Sequence, residues 1–375
     1  MYNKKAVSPV VGFIMIVAIL VCFMALLQSQ FLPMWNKKVE RKSQSRLISE
    51  VSKIPHILTG STSTPFKLDL GTIYPKYPFL FSPPPTAGYI KFLPENVTIN
   101  ATISGTNQKY NVSFKTYAIL VHPFYVYSPD IQLIYEYTTV LENGSNYYKA
   151  IPVVNQTAFS KATICIPIIN STYKVISGVT VPLNFYLISK SYGISLDNVN
   201  VTFEVKNPDY WRSILDSIYG RSNVSVSGNT VTIHAGKITL YTPAWVVSAT
   251  NSSIRVNRTI YAVVPLNNPV YVGVGNVAPV NVMVVDNFGN PISGVTINST
   301  VKGTNVSVLP STSETNLQGV ATFYVEGLSY GNETINFTAG KVNSSVEVHV
   351  FALPAPVTPT VSSISLKGNL TLYSY

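Results

Sequence analysis

From Val7 to Leu32 the chain is mainly Val, Ile, Leu, Phe, Met and Ala, and between Lys5 and Lys37 no charged side chain appears. At ~1.5 Å per residue, such a run wound as a helix covers the ~30 Å hydrocarbon core of a bilayer. Lipid offers no partners for backbone N–H and C=O groups, so a helix is the form the run must take there. Beyond it the pattern changes. Trp35, Val39, Leu47, Val51 and Ile54 fall mostly three, four or seven residues apart, with Lys, Arg, Ser and Gln between them. The two patterns predict one helix from about Val7 to Lys53, roughly 70 Å long, kinked at Pro33 and stopped by Pro55.

After Ile57 the period becomes two. Val97, Ile99, Ala101 and Ile103 oppose Asn96, Thr98, Asn100 and Thr102, and Val199, Val201, Phe203 and Val205 alternate with Asn200, Thr202 and Glu204. Hairpins are expected over 96–115, turning at Gly105-Thr106-Asn107, and over 222–241, turning at Ser227-Gly228-Asn229. One helix interrupts, with Asn207 as N-cap, Pro208 in its first turn, Tyr210 to Ile218 as its body and Gly220 past its end. The stretch Tyr74–Pro85, with Pro75, Pro78 and Pro83-Pro84-Pro85 among aromatics, reads as an extended surface loop or linker. From about Arg258 a second unit begins, in which Val282 and Val284 lead into the turn 286–291 and a new strand from Ile292. The fold class is therefore mainly β: a long N-terminal helix followed by β-sandwiches. The expected division is a leader 1–6, a membrane and spine helix 7–55, a β-rich region 56–257, a second sandwich 258–352 and a tail 353–375 that adds at most one strand.

Two stretches carry a resemblance. Lys4-Lys5-Ala6-Val7-Ser8-Pro9-Val10-Val11-Gly12-Phe13 and the apolar run after it resemble the N-terminus of archaeal type IV pilins. The resemblance implies cleavage by a prepilin peptidase between Ala6 and Val7, and a spine helix whose inner half packs in a filament core. The fifth mature position would be Val11, where bacterial pilins carry a glutamate, so one cue for ordered assembly is missing. A cleavable secretory signal would have a shorter apolar core and a small-x-small exit site, whereas this run ends in Gln28, Gln30, Pro33 and Trp35. The second stretch is Asp286-Asn287-Phe288-Gly289-Asn290-Pro291, Ile292 to Ile297, and the later Thr315-Asn316-Leu317-Gln318-Gly319 before an alternating strand. It resembles the bacterial Ig-like repeats of surface proteins, invasin-type adhesins among them, and implies that the last sandwich is Ig-like. Such modules serve as spacers, tips and assembly units alike, so the resemblance fixes no activity.

Charge sharpens the picture. Of the net +10, residues 1–53 hold eight basic side chains against Glu40 and Glu50, flanking the apolar run. No basic stripe lies on the β region, so membrane surface is the expected partner and nucleic acid is not. Six of the basic residues follow the run and two precede it, which by the positive-inside rule alone would leave the C-terminal part in the cytoplasm. The sequons argue the other way. Asn-x-Ser/Thr starts at Asn96, Asn100, Asn111, Asn143, Asn155, Asn170, Asn200, Asn223, Asn251, Asn257, Asn298, Asn305, Asn332, Asn336, Asn343 and Asn369, all after the apolar run. Sixteen of 31 asparagines is well above the roughly six that Ser/Thr content alone would give. An N-glycosylated extracellular region is expected.

Chemistry is thin. Cys22 lies in the apolar run and Cys165 far out between two isoleucines, so disulfide scaffolding and cysteine zinc sites are not expected. His56, His122, His234 and His349 make no metal-spaced pair. No phosphate loop, nucleophile elbow or HExxH helix appears, and Asp130 with Glu136, or Asp209 with Asp216, make weak carboxylate pairs. Dense aromatics (Tyr74, Tyr77, Phe79 and Phe81; Tyr117, Phe124, Tyr125, Tyr127, Tyr135 and Tyr137) fit sheet packing better than a binding face. The expectation is a non-enzymatic, cofactor-free, single-pass surface protein. Two roles are open: a pilin-like structural or adhesive subunit, of a minor or tip kind, with other pilin subunits as partners; or a monomeric anchored glycoprotein that binds a surface-layer component or an extracellular ligand.

Overall fold

The computed structural model describes residues 7–105, 108–144, 151–171, 173–249 and 259–352. Ala6 and the rest of the leader, the sequons at Asn251, Asn257 and Asn369, and the tail 353–375 lie outside the described residues.

The apolar run forms α1, Val7–Leu26, passes through one π-helical turn at Leu27–Phe31, and continues as α2, Leu32–Val51, and α3, Ile54–Thr59. Pro33 is met by that π turn. It has no N–H for the carbonyl four residues back and its ring crowds that carbonyl, so a widened turn accommodates it within a continuing helix. Pro55 does not stop the helix as expected. The regular bonding ends earlier, where Ser52 Oγ donates to the Ile48 carbonyl at 2.6 Å. Pro55 then sits in the first turn of α3, where a missing N–H costs nothing. Apolar side chains cover α1 on all sides, with Phe13, Ile16, Ile19, Leu20 and Phe23 each more than half exposed, and the helix is long and apolar enough to cross a membrane. α2 differs, because its stripe Leu32, Asn36, Glu40, Leu47 and Val51 is buried. Trp35 and Val39 lie at the edge of that stripe rather than on it.

What buries the stripe is a β-sandwich. Strands Thr64–Asp69, Thr180–Ser189, Ala244–Ser248 and Ile168–Ser171 make a four-stranded sheet. Across a core from it lies a ten-stranded sheet built around the long hairpin Gly88–Ile103 and Lys109–Pro123, with Ile194–Glu204 on its other side. Leu68, Leu183, Phe185 and Trp245 meet Ile90, Phe92, Ile119, Val121 and Leu133 in this core, and Leu47, Val51, Ile54 and Leu58 of the helix enter it too. Fully burying each of those four helix side chains contributes about 1.5–3 kcal/mol. The helix is thus part of the sandwich, not a stalk beneath it. The expected strand pairs form, and the first is longer than its alternation suggested; Thr106 and Asn107 of its expected turn lie outside the described residues. α4, Pro208–Tyr219, lies where the cap and glycine signals put it, though the Asn207 side chain makes no cap; its carbonyl accepts from Trp211 N–H at 3.2 Å.

The last unit is a second sandwich. Ile260–Pro265, Val277–Asp286, Val320–Gly327 and Val306–Leu309 form one sheet, and five strands that include Thr296–Val301, Gly331–Ala339 and Val342–Phe351 form the other. Val280, Val282 and Val284 point into its own core, while Met283 and Val285 join the core of the first unit. An apolar run buried on both faces explains why residues 282–285 lack alternation. The expected turn at 286–291 is not a solvent turn. Asp286 Oδ1 accepts the N–H groups of Phe288 and Asn290, each at 2.9 Å, and Asn290 reaches back to the Thr242 carbonyl at 2.6 Å. Thr242 Oγ1 donates to Asn290 Oδ1 at 2.9 Å and Ser189 Oγ to Asp286 Oδ2 at 2.5 Å, all of them buried. The turn plugs one sandwich into the other.

Candidate functional site along the spine helix

The residues that sequence reading singled out for chemistry do not converge. His122 packs at a tilt against Tyr89 and Phe124, which also touch each other, His234 pairs with Asn200 on the neighbouring strand, and His349 bonds Asn332 at 2.8 Å under Tyr271. No group of three His, Cys, Asp or Glu side chains that could hold a metal ion occurs among the described residues. Both cysteines are free, and burial pushes the Cys165 thiol up to about 11, which leaves it an un-ionised packing residue. Glu136 does find a carboxylate neighbour, but it is Glu95 rather than Asp130. Both are buried beside Lys206, whose Nζ lies 3.9 Å from Glu95, and Trp211 Nε1 donates to Glu136 at 2.7 Å. Burial raises both carboxyls above their ordinary range, and the charge of Glu136 adds to the rise at Glu95. The two stand 41 residues apart on different strands, so spacing could not have found them.

The polar chemistry that is organised runs along α2. Glu40 is fully buried and accepts from Val126 N–H at 2.7 Å, from Tyr127 N–H at 3.0 and 3.1 Å, and from the Tyr74 hydroxyl. A carboxylate is tolerated away from water only when donors surround it, and here three groups from two loops do so. Burial together with this carboxylate pushes the Tyr74 phenol well above its ordinary range. One turn earlier, Asn36 is equally buried, and among the described residues neither polar atom of its amide has a hydrogen-bond partner. At the other end of α2, Glu50 accepts Asp69 N–H at 3.1 Å and Arg46 lies 3.6 Å from the Asp69 carboxylate.

The loop at 72–86 follows the same helix in the opposite direction. Tyr77 packs on Trp35 with ring centroids 5.3 Å apart. Further along, Gln28 holds Phe81 at both backbone groups, donating from Nε2 to its carbonyl at 3.0 Å and accepting its N–H at 2.9 Å. The expected surface loop is therefore clipped to the helix at three heights, by Glu40, Trp35 and Gln28. Tyr74, Tyr135 and Tyr137 are buried packing residues, as the aromatic density suggested, but Phe79 and Phe81 stand almost fully exposed.

The sequon asparagines share one property. Of the thirteen within the described residues, Asn96, Asn100, Asn111, Asn155, Asn170, Asn200, Asn223, Asn298, Asn332 and Asn343 are exposed and Asn143, Asn305 and Asn336 half-buried. The buried asparagines, Asn36, Asn184 and Asn290, carry no sequon. Asn200 and Asn332 use only Oδ1 in their histidine contacts, whereas Asn96 commits Nδ2, the glycan-bearing atom, to Glu204 at 3.2 Å.

Residues 275–351 match the family described as Bacterial Ig-like domain (group 1), so the resemblance read from 286–323 holds for the last sandwich. Among solved structures, the chain is similar to domains 4 and 5 of the S-layer protein SbsC at 26% identity, covering 29% of this chain and 68% of that one with a TM-score of 0.23. It is also similar to the D00-D0 domain of intimin at 13% identity, covering 42% and 63% with a TM-score of 0.21. An uncharacterized protein of Archaeoglobus fulgidus is 30% identical over 371 residues, 94% of this chain, and the chain spans 63% of its length. A second uncharacterized protein of the same organism is 33% identical over 205 residues, which are 52% of this chain and 79% of that protein. With that identity across most of the second relative, the chain belongs to one family with these Archaeoglobus fulgidus proteins.

Proposed function

We propose that the chain is a structural and adhesive protein of the cell surface: a pilin-like subunit, of a minor or tip kind, anchored by α1 with both sandwiches displayed outside the cell. The observation that carries this reading is the asymmetry of the helix. Its first half is bare and apolar all round, whereas its second half lies inside a β-sandwich. A spine whose free half is available to lipid or to neighbouring helices is what the pilin-like N-terminus implies. The wet sequon asparagines support an extracellular, glycosylated region, with the open amides of Asn200 and Asn332 better acceptors than the engaged amide of Asn96. No enzymatic activity or cofactor is part of the reading.

Mass spectrometry of the mature protein tests it. A chain starting at Val7 and glycopeptides covering Asn200 and Asn332 are expected; an intact Met1 would remove the prepilin step. Shearing cells then separates the two roles. Recovery in filaments supports the subunit, and recovery only in membranes supports a monomeric anchored glycoprotein that binds a surface-layer component or an extracellular ligand. The second role is favoured by bulk, since two sandwiches must be carried around a free helix of only twenty residues.

A further inference from the structure

The loop that descends α2 ends in two exposed phenylalanines, and its construction says what they meet. Its ends are tied where Thr86 N–H donates to the Thr72 carbonyl at 3.0 Å, and its middle where Ser82 Oγ donates to the Pro75 carbonyl at 2.7 Å. Its grips on the helix step down from Glu40 to Gln28, a descent of about 18 Å at the rise of an α-helix. Gln28 itself lies about 32 Å along the helix from Val7. A hydrocarbon core is ~30 Å thick. With Val7 at one boundary, Gln28 and the Phe81 backbone it holds lie at the other.

At that level the chain does something costly. Leu80 N–H closes a turn onto the Tyr77 carbonyl at 3.3 Å, with Pro78 and Phe79 at its centre and Phe79 at φ +63°. This is the place in a type II turn that Gly or Asn normally fills, and a bulky aromatic there is strained. The strain puts a ring in the open: Phe79 is 88% and Phe81 86% exposed.

The backbone around them is also suited to a dry environment. Phe81 has both its N–H and its C=O taken by Gln28, which in turn spares that amide from facing lipid unpaired. The Leu80 N–H is bonded in the turn, and Pro78, Pro83, Pro84 and Pro85 have none to satisfy. Lys76, exposed two residues before the turn apex at Pro78, can reach lipid headgroups.

We infer that residues 77–82 are a second membrane contact, in which Phe79 and Phe81 enter the outer edge of the acyl-chain layer beside Gln28 and fix the sandwich against the bilayer. This rests on α1 crossing the membrane, and not on prepilin processing or filament assembly. The test uses the full chain with Cys22 and Cys165 replaced by alanine. Single cysteines are placed at Phe79, at Val17 within α1 and at Ser293 on the second sandwich, labelled with an environment-sensitive fluorophore. The protein is reconstituted in phosphatidylcholine–phosphatidylglycerol vesicles. Expected is quenching of the label at 79 by lipids spin-labelled near the headgroup, with aqueous iodide quenching severalfold weaker than at 293. Equal iodide quenching at 79 and 293, with 17 quenched by lipid, would overturn the inference alone. Loss of lipid quenching at 17 would remove the membrane span and the inference together. Protection at 79 that vanishes when the protein is diluted in excess lipid would assign the patch to a second copy of the chain, which also overturns it.

Discussion

The Tyr110 hydroxyl donates to the Gly289 carbonyl at 3.2 Å, joining the tip of the long hairpin to the turn of the second sandwich 179 residues away. Gly289 has φ +77°, and a Cβ built there would collide with the Tyr110 hydroxyl oxygen. Gly289→Ala should therefore cost about 1–3 kcal/mol through left-handed strain and collision, seen as a lower Tm. Adding Tyr110→Phe removes the colliding oxygen, so the double variant should lose less than the two single losses summed. Strict additivity would show that the joint is not the cause.

The Glu95–Glu136 pair makes a pH prediction. Both carboxyls are raised by burial, so the folded chain holds protons that the unfolded chain releases. Their contribution to stability is full below the ordinary value of 4.5 and is lost as pH rises through the raised folded values. Glu95→Gln abolishes the charge conflict. Its Tm should exceed that of the parent at neutral pH, and the gap should close as the pH is lowered toward about 4. A gap that does not change with pH would contradict the shared-burial account.

Replacing Glu40 should loosen the helix from the loops it holds. Glu40→Ala strands the Val126 and Tyr127 N–H groups and the Tyr74 hydroxyl, a loss of about 2–5 kcal/mol. Tryptic cleavage after exposed Lys76 should quicken well before the sandwiches unfold, followed by peptide mapping. Glu40→Gln keeps acceptor oxygen and should lose less.

Asn36 points the other way. Its amide is buried without partners, so Asn36→Leu, which keeps the branched shape of the side chain, should stabilise the chain by about 1–3 kcal/mol. A fall in Tm would mean that the amide is paired in solution.

Much of this fold was legible from periodicity. Alternation in 96–103 and 199–205, glycine at turn positions such as Gly228, and the Asn207-Pro208 start of α4 each reflect a local constraint that acts on neighbouring residues. The grips along α2 were not, because each joins the helix to a loop dozens of residues away. Glu40 still had a local signature. Leu32, Asn36, Glu40, Leu47 and Val51 keep the four- and seven-residue spacing of a buried stripe, so a charged residue stood on the apolar face. Reading Trp35 and Val39 as the stripe hid it. Pro55 misled for a related reason: it was weighed as a breaker, while a fresh helix start absorbed it.

The long hairpin has a mechanical meaning. Its far tip grips the Ig-like module through Tyr110, and the residues just past its base, Val126 and Tyr127, hold Glu40 on the spine. Tension applied to the distal module is thus delivered to the helix over the hairpin's length of about 50 Å. Both grips belong to the Lys109–Pro123 side of the hairpin, so the tension runs along that covalent backbone while its ladder to Gly88–Ile103 keeps it extended. Force on the distal module is passed to α1 through a stiff rod and not a slack tether.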